Sequence, residues 1–314
     1  MDKERFDVIV VGAGPAGTSA AHYAAQEGAR VCLLEQGAEI GCPIRTSGAT
    51  FTAKLRELAV PPHLYHPLRK LRFVGPTRSA RFEYLEPVAC VLDVRGLYQH
   101  LAAEAAAAGA EIRLTRQVTD ARPEGGASWE VVARVAGAQE RYSARVVVDA
   151  SGFAAVVQRK AGLRGSVTRF GFGAEYDLFT PAWPEDEAAL VVGSEVAPSG
   201  YGWVFPRGNR RARVGVGVIR PDTDAQPQDY LDRFMKVPAI ARELDGAQPL
   251  EAHVGYIPSE PVGARCVYDG LIAVGDAGGH ASPLVGEGIR YAIRAGRLAG
   301  AIAGECVRAG NCSA

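Results

Sequence analysis

The 314-residue sequence lacks a long apolar run, an excess of charge of either sign and any CxxC pair. A membrane-spanning helix needs about 18 or more consecutive apolar residues, so none is predicted. Lysine plus arginine and aspartate plus glutamate number 35 each, and the resulting net charge of zero argues against a nucleic-acid partner. The six scattered cysteines lack the spacing of a zinc site or a disulfide framework, so no metal is predicted. The charged start MDKERFDVIVVG runs directly into a strand and is not a signal peptide, which predicts a cytoplasmic protein.

The sequence does contain an alternation between two kinds of structural pattern. An apolar strand at 6–11, a helix and a second strand at 30–34 form a βαβ opening. The segments between the later helices show short, turn-rich strand patterns, such as those of 68–85. Helices are predicted at 15–27, 93–109, 228–244 and 286–307.

This layout predicts an α/β fold in which a Rossmann-type nucleotide-binding domain carries an inserted antiparallel-sheet domain that binds substrate. The nucleotide-binding domain is expected to be discontinuous and to comprise residues 1–67, 88–164 and 265–314. The inserted domain is expected to comprise residues 68–87 and 165–264.

The segment VIVVGAGPAG places Gly12, Gly14 and Gly17 between the first strand and the first helix. Glycines at these positions permit a tight turn and a close approach to a pyrophosphate, and the amides at the helix start attract that anion. Glu35 ends the second strand, where a carboxylate can accept hydrogen bonds from ribose hydroxyls. Since this acid disfavours a 2′-phosphate, the motif predicts FAD or NAD, and the alternative is a tight turn without a ligand. Pro15, Ala16 and Gln36 complete the predicted site.

A second glycine-rich segment, GLIAVGDAGGHASPLVGEGIRYAI, decides between these two cofactors. An NAD site needs no such second element, whereas FAD has a ribityl chain and a second ring system. Asp276 at a strand end can accept a ribityl hydroxyl, and the amides of the following helix can stabilise negative charge on the reduced ring. The alternative is a strand–turn–helix whose acid only caps the helix. The contacts predicted here are Gly275, Asp276, Pro283, Gly286, Gly288 and Ile289.

These motifs, together with DASGF at 149–153, resemble the FAD-dependent family typified by para-hydroxybenzoate hydroxylase. Within it, the chain is most similar to the geranylgeranyl reductase branch. The segment GCPIR follows the acid, and YGWVFP at 201–206 precedes a GxG strand with Gly215 and Gly217. The resemblance extends over residues 5–305.

The resemblance implies that Arg45 approaches the flavin, that Arg95 reaches the ribityl or phosphate part, and that Asp149 and Gly152 support FAD. The alternatives are a surface arginine at the helix start and a plain strand-to-turn signal in DASG. Thr46 stands where many archaeal members have cysteine, so the chemistry of that cysteine does not transfer. Relatives commonly continue past the last helix, whereas this chain stops at residue 314, which predicts a more open cavity or a truncated or minimal member.

Tyr201, Trp203 and Phe205 alternate along one predicted strand, so their side chains should share one face. The strand pattern alone favours a core face. The resemblance implies instead that this face, with Pro206, borders the flavin ring and a tunnel for an isoprenoid substrate.

The resemblance implies hydride transfer from reduced FAD to carbon–carbon double bonds of an isoprenoid chain in a lipid or quinone. Two alternatives remain: an FAD-dependent monooxygenase that hydroxylates an aromatic or polyketide, and an electron-transfer flavoprotein without a small substrate of its own. No Ser/His/Asp set is visible among the dispersed histidines. His280 lies in the second motif and is the candidate proton donor, with loop packing as the alternative.

Two partners follow from these patterns. Only one glycine fingerprint opens a βαβ unit, so a reduced nicotinamide would dock transiently, or a protein would supply the electrons. Arg290, Arg294 and Arg297 form a basic stripe on the last helix, which predicts either a solvated face or a peripheral contact with an anionic membrane.

Overall fold

The computed structural model describes residues 3–125, 128–260 and 265–314. The strands are β1 Glu4–Val11, β2 Val31–Leu34, β3 Ala49–Phe51, β4 Tyr65–Leu68, β5 Lys70–Val74, β6 Ser79–Glu83, β7 Ala89–Leu92, β8 Glu111–Arg113, β9 Gln117–Glu124, β10 Ser128–Val135, β11 Ala138–Asp149, β12 Phe170–Phe179, β13 Glu187–Val191, β14 Tyr201–Gly208, β15 Arg211–Arg220, β16 Gln248–Pro258, β17 Val267–Tyr268 and β18 Leu271–Ala273. The helices are α1 Pro15–Gln26, α2 Thr52–Glu57, α3 Val94–Ala107, α4 Val156–Lys160, α5 Pro227–Phe234, α6 Pro238–Ala241 and α7 Ile289–Ala309, with 3-10 turns at Pro62–Leu64, Gly152–Ala154 and Gly275–Gly278.

The chain divides into two units. Unit 1 comprises Met1–Cys42, Arg95–Val167 and Glu260–Ala314, and unit 2 comprises Pro43–Val94 and Thr168–Ser259. The boundaries predicted at 67/68 and 87/88 therefore lie instead at 42/43 and 94/95. The reason is that β3, β7 and β4 form a separate three-stranded sheet that packs against β14 of unit 2. The predicted boundary at 264/265 adjoins residues 261–264, which lie outside the described residues.

Unit 1 is built on a sheet of order β17-β18-β11-β1-β2-β8. Strands β8, β2, β1, β11 and β18 run parallel, while β9 and β10 extend the sheet as an antiparallel hairpin on β11. Residues 8–11 of β1 are fully buried, as expected of a central parallel strand. Parallel strands end at a common edge, so the residues that follow β1, β2, β11 and β18 meet there. The predicted Rossmann-type α/β class is confirmed.

Helices α1 and α7 of unit 1 pack against each other at backbone distance. Gly296, Gly300 and Gly304 recur every fourth residue on one face of α7. A Cβ at Gly296 or Gly300 would lie only 2.2 Å or 2.3 Å from the carbonyl oxygen of Ala16 or Ala20, respectively. The sequence interpretation of this helix was based on its arginines and missed these glycines.

Unit 2 contains a seven-stranded sheet of order β16-β12-β15-β14-β13-β5-β6, antiparallel except for the β13–β5 pair. One face is apolar and packs on α5 and α6 through residues such as Leu231, Phe234 and Ile240. The predicted helix at 228–244 is divided in two because Val237, before Pro238, is extended. Strand β16 was not predicted, since most of its residues are exposed at the sheet edge and no clean alternation marks it.

Among the helices of the described residues, none combines the length and apolar character that a bilayer crossing requires.

Candidate cofactor and substrate sites

The turn between β1 and α1 needs two of its three glycines for its own packing. Gly12 has φ +99°, and a Cβ there would lie 2.4 Å from the carbonyl oxygen of Ala150. A Cβ at Gly17 would lie 1.8 Å from the carbonyl oxygen of Gly12. A Cβ at Gly14, by contrast, would meet no atom of the described residues within 4 Å apart from those of its chain neighbours. The turn therefore keeps open space at Gly14, beside the start of α1.

The start of α1 is open to an anion. Gly14 is its N-cap residue, Pro15 is its first residue, and no side chain caps the first turn or places an acid in it. The first amides of a helix have no partner within the helix and carry the positive end of its dipole. This arrangement fits the pyrophosphate of a dinucleotide, and the contact of Gly14 with that group stays a prediction.

Glu35 is fixed beside this turn by two backbone amides. Its carboxylate accepts hydrogen bonds from the Ala13 amide at 2.8 Å and from the Gly37 amide at 2.7 Å. A carboxylate oxygen has a second lone pair, so each remains able to accept a ribose hydroxyl. The neighbouring Gln36 is exposed.

The structure brings the two predicted motifs together. Gly275, with φ +63°, begins the 3-10 turn after β18. A Cβ on it would lie 3.0 Å from the Cβ of Ala16 in α1 and 3.8 Å from that of Ala292 in α7. The turn that carries Asp276 therefore packs at the starts of both helices, although β1 and β18 lie far apart in sequence.

Asp276 has the environment of a ligand-binding carboxylate. Burial raises its pKa to about 6, an effect that the charge of Arg164 partly offsets. Its side chain is only partly exposed, and a Cβ at Gly288 would lie 3.7 Å from Oδ1. Hydrogen-bond donors from a ligand would favour the ionised form and bring the pKa back down.

The loop from Ser282 to Gly288 is closed by its own backbone. The amide of Ser282 donates to the carbonyl of Glu287 at 2.8 Å, and that of Gly286 donates back to Ser282 at 2.9 Å. Gly286 has φ +65°, and the exposed Pro283 lies within the loop. Ile289, the last predicted contact, is buried and begins α7.

His280 is a poor candidate for an acid. Burial lowers the pKa of its imidazole, so the ring is neutral near pH 7. Its Nδ1 is buried and has no hydrogen-bond partner among the residues that the structure describes. Its backbone amide donates to Gly275 at 2.9 Å, so loop packing accounts for its position.

Asp149 and Arg95, which the resemblance assigns to FAD binding, both interact with other groups of the protein. Asp149 is fully buried, and its carboxylate accepts the Ser151 hydroxyl at 2.5 Å and the Gln158 amide at 2.9 Å. It therefore holds the turn that contains Gly152, which has φ +69°. Arg95 lies at the start of α3, where it forms an ion pair with Glu39 and remains largely exposed.

Arg45 lies in unit 2, whereas the other predicted cofactor residues lie in unit 1. Its side chain is exposed, but its backbone is held against the sheet. A Cβ at Gly255 of β16 would lie 2.2 Å from the carbonyl oxygen of Arg45. The next residues are bound by Arg213 of β15, whose Nη1 donates to the carbonyl of Ser47 at 2.6 Å and approaches that of Thr46 at 3.4 Å. Sequence reasoning missed Arg213.

The three aromatic rings of β14 form one row, as predicted. The centroids of Tyr201 and Trp203 are 5.8 Å apart, and Trp203 and Phe205 are stacked at 6.1 Å. Trp203 and Phe205 are buried in a cluster with Leu68 and Val91, so the rings are part of the core of unit 2.

Pro206 does not belong to this row. It pairs with Ala212, and alternation places it on the opposite face of the sheet, which packs on α5 and α6.

The GxG strand that follows the aromatic motif makes room for Trp203. Gly215 lies directly opposite Trp203, and a Cβ there would lie 2.4 Å from its Cζ2 atom. Cβ atoms at Gly217 and Gly173 would lie 3.4 Å and 3.5 Å from the same ring. The indole therefore lies across three glycines on adjacent strands, which explains why the two motifs occur together.

Comparison with known proteins agrees with this geometry. The family described as FAD dependent oxidoreductase matches residues 7–173, and the geranylgeranyl reductase catalytic domain matches residues 173–257. The digeranylgeranylglycerophospholipid reductase of Methanoculleus marisnigri is 34% identical over 99% of this chain and 79% of that protein. A geranylgeranyl bacteriochlorophyll reductase-like protein from Thermoplasma acidophilum superimposes with a TM-score of 0.91 at 28% identity, over 99% of this chain and 81% of that one.

More distant structures share the fold alone. The flavin-dependent brominase Bmp2 has a TM-score of 0.76 at 18% identity, over 97% of this chain and 80% of that one. The match to the reductases is stronger in both sequence and structure, and it includes the sheet that carries the aromatic row. The chain belongs to the geranylgeranyl reductase family of FAD-dependent oxidoreductases.

Proposed function

We propose that the protein saturates carbon–carbon double bonds of an isoprenoid chain in a lipid or quinone. One observation carries this proposal. The match to the geranylgeranyl reductase catalytic domain covers β12 to β16, which are the strands around the aromatic ring of Trp203. Isoprenoid chains lack polar groups, so recognition needs an apolar wall and exclusion of water.

The residues of unit 1 fit FAD, and each has a separate task. The open start of α1 at Gly14 would hold the pyrophosphate, Glu35 the adenosine ribose and Asp276 the ribityl hydroxyls. Bound and reduced, FAD supplies a hydride to one alkene carbon, while the other carbon takes a proton. The fit rests on the space at Gly14 and on the raised pKa of Asp276.

The aromatic row of unit 2 is proposed to border the apolar substrate. Tyr201 is the most exposed of the three rings, while Trp203 and Phe205 are largely covered by their own unit. The substrate would therefore meet the row at Tyr201 and at the edge of Trp203, and the buried parts would keep this wall rigid. Rigid positioning of the reacting carbon contributes much of the rate in such reactions.

The electron donor is proposed to be a reduced nicotinamide that docks transiently, or a protein. A membrane contact through α7 has less support than its sequence suggested. Arg290 is paired with Glu287 at 2.7 Å, and Arg297 lies 5.6 Å from the ring centroid of Tyr23, which leaves Arg294 as the exposed member of the stripe.

The test is an anaerobic turnover of purified FAD-loaded protein reduced with dithionite. A lipid with geranylgeranyl chains should reoxidise the flavin without oxygen and gain a pair of hydrogens for each reduced bond, as measured by mass spectrometry. A monooxygenase would leave both the lipid and the reduced flavin unchanged without oxygen, and it would hydroxylate an aromatic substrate once oxygen is admitted. Flavin that reacts with neither, but exchanges electrons with a partner flavoprotein, would indicate the electron-transfer alternative.

A further inference from the structure

We propose that Glu175 is a positioning residue that, held by His253, fixes the indole of Trp203 in one orientation for binding of the apolar substrate. The substrate part of this inference rests on the proposed function. The orientation part rests on hydrogen bonds within unit 2 and can be tested without any substrate.

The indole of Trp203 is held at its polar atom as well as at its faces. Its Nε1 donates to Oε2 of Glu175 at 3.1 Å. Trp203 is 9% exposed and Glu175 is 4% exposed, so neither group can replace this bond with bulk water. A buried indole N–H without an acceptor is costly, and this bond therefore selects one ring orientation among those that the three glycines beneath the ring would allow.

His253 holds the other oxygen of Glu175. Its Nδ1 lies 3.0 Å from Glu175 Oε1, and its Nε2 lies 3.1 Å from Glu251 Oε2. If both carboxylates accept from the ring, both ring nitrogens donate, and this is the imidazolium form that the raised pKa of His253 favours. The hydrogen-bonded series runs from Glu251, which is about half exposed, through the buried His253 and Glu175 to Trp203.

The nearby arginines pair with other carboxylates, which leaves His253 to bind Glu175. Asp177 lies two residues after Glu175 on β12. Its carboxylate accepts hydrogen bonds from Arg207 at 2.5 Å and from Arg211 at 2.9 Å. Arg211 also reaches Glu251 at 3.1 Å. The buried Arg213 has its Nε 3.9 Å from Asp177, and its charge opposes the protonation of His253. Over the described ranges, the cation within ion-pair distance of Glu175 is His253.

These hydrogen bonds therefore depend on pH through the protonation of the His253 ring. Burial lowers the pKa of His253, but the hydrogen bonds and charge of Glu175, together with the hydrogen bond of Glu251, raise it overall above its ordinary value. The stabilisation is fully present below the ordinary pKa of about 6.5 and is lost as the pH rises through the raised pKa. Above that range the neutral ring has a single N–H, which can donate to Glu175 or to Glu251 but not to both, so Glu175 no longer has a donor of its own.

The test uses FAD-loaded protein labelled with 5-fluorotryptophan. The chain has three tryptophans, so three ¹⁹F resonances are expected, and W203F assigns one of them. In the wild type, the Trp203 resonance should shift as the pH rises from about 6 to about 9, while those of Trp129 and Trp183 stay fixed. In E175Q an amide can accept from the indole and donate to neutral His253, so the Trp203 resonance should no longer titrate.

Two further variants sharpen the test. E175A should broaden or move the Trp203 resonance at every pH and raise the KM for the isoprenoid lipid roughly tenfold, with kcat changed less. E251Q, on the far side of the same imidazole, should leave the Trp203 resonance at about pH 6 where it is in the wild type.

A Trp203 resonance that titrates equally in the wild type and E175Q would overturn the proposal, even if E175A failed to fold. An unchanged KM in a folded E175A protein would overturn the substrate part. If wild-type protein shows the predicted titration but reduces no isoprenoid, the proposed function fails while the positioning role of Glu175 stands.

Discussion

The guanidinium of Arg213 donates a hydrogen bond of 2.6 Å from Nη1 to the carbonyl oxygen of Ser47. Burial lowers the pKa of this arginine, yet the group is retained in a site with no exposure to water. Nη1 of this buried charge holds the loop that follows Arg45, and Nε lies 3.9 Å from the carboxylate of Asp177. The position of Arg45 is therefore set by a residue distant from it in sequence.

Replacing Arg213 with methionine should cost about 2 kcal/mol of unfolding free energy, because a charge-assisted, partly buried hydrogen bond to the Ser47 carbonyl is lost. Chemical denaturation of the FAD-loaded protein measures this loss. Arg169, exposed and paired with Asp222, is the matched control, and R169M should change stability little. Equal effects of the two variants would contradict the anchoring role.

Gly14 and Gly17, three residues apart, should respond differently to alanine. G17A places a Cβ 1.8 Å from the carbonyl oxygen of Gly12, so the turn cannot form and both the fold of unit 1 and FAD should be lost. The expected signs are a lower melting temperature and a colourless protein.

G14A, with no protein atom within 4 Å of the new methyl group, should change the stability of FAD-free protein by at most about 1 kcal/mol and still weaken FAD binding. FAD titration by fluorescence quenching distinguishes the two effects. Wild-type FAD affinity in G14A would mean that the space at Gly14 is not used by the cofactor.

Asp276 should make FAD binding depend on pH. Its pKa of about 6 lies above the ordinary 3.8, so the folded FAD-free protein binds this proton more tightly than the unfolded chain does. That contribution to stability is greatest below pH 3.8 and falls as the pH rises toward 6. Ribityl hydroxyls would donate to the ionised form, so FAD affinity should rise through about pH 6 in the wild type. D276N should bind FAD more weakly and without this rise, and an unchanged pH profile in D276N would count against the assignment.

The contact between α1 and α7 should not tolerate a larger residue at its centre. G300V would drive a side chain into the carbonyl oxygen of Ala20, so the helices would separate and the melting temperature should fall, by a cost of about 1–3 kcal/mol or more. FAD content should fall with it, because Gly275 packs on both helices. The control on the same helix is L298A at a largely exposed position, which should retain FAD.

The sequence was sufficient for features that depend on local spacing. The glycines after β1, the acid after β2 and the alternation of Tyr201, Trp203 and Phe205 each follow from a short pattern with one physical meaning. The common edge of the parallel sheet could also be predicted, because strand ends in such a sheet always meet.

Features set by the register of distant strands could not be predicted. The partner of Glu175 depends on β12 pairing with β16, a strand whose exposed edge gave no pattern. The hydrogen bond from Arg213 to Ser47 joins residues that are 166 positions apart. Local propensity carries no information about which distant segments meet in the fold. The strand pattern predicts a core face for Trp203, but it does not predict the cover by Val91 of β7, because the predicted boundary at 87/88 places β7 in the other domain.

The close packing of α7 on α1 has a consequence for biosynthesis. The turn at Gly275 and helix α7 are synthesised long after α1, the helix on which they rest. A nascent chain that ends before Gly304 would carry an α1 whose glycine-lined partner has not been synthesised. Cofactor loading is therefore expected to follow the synthesis of α7, and until then the apolar side of α1 is a surface for chaperones to shield.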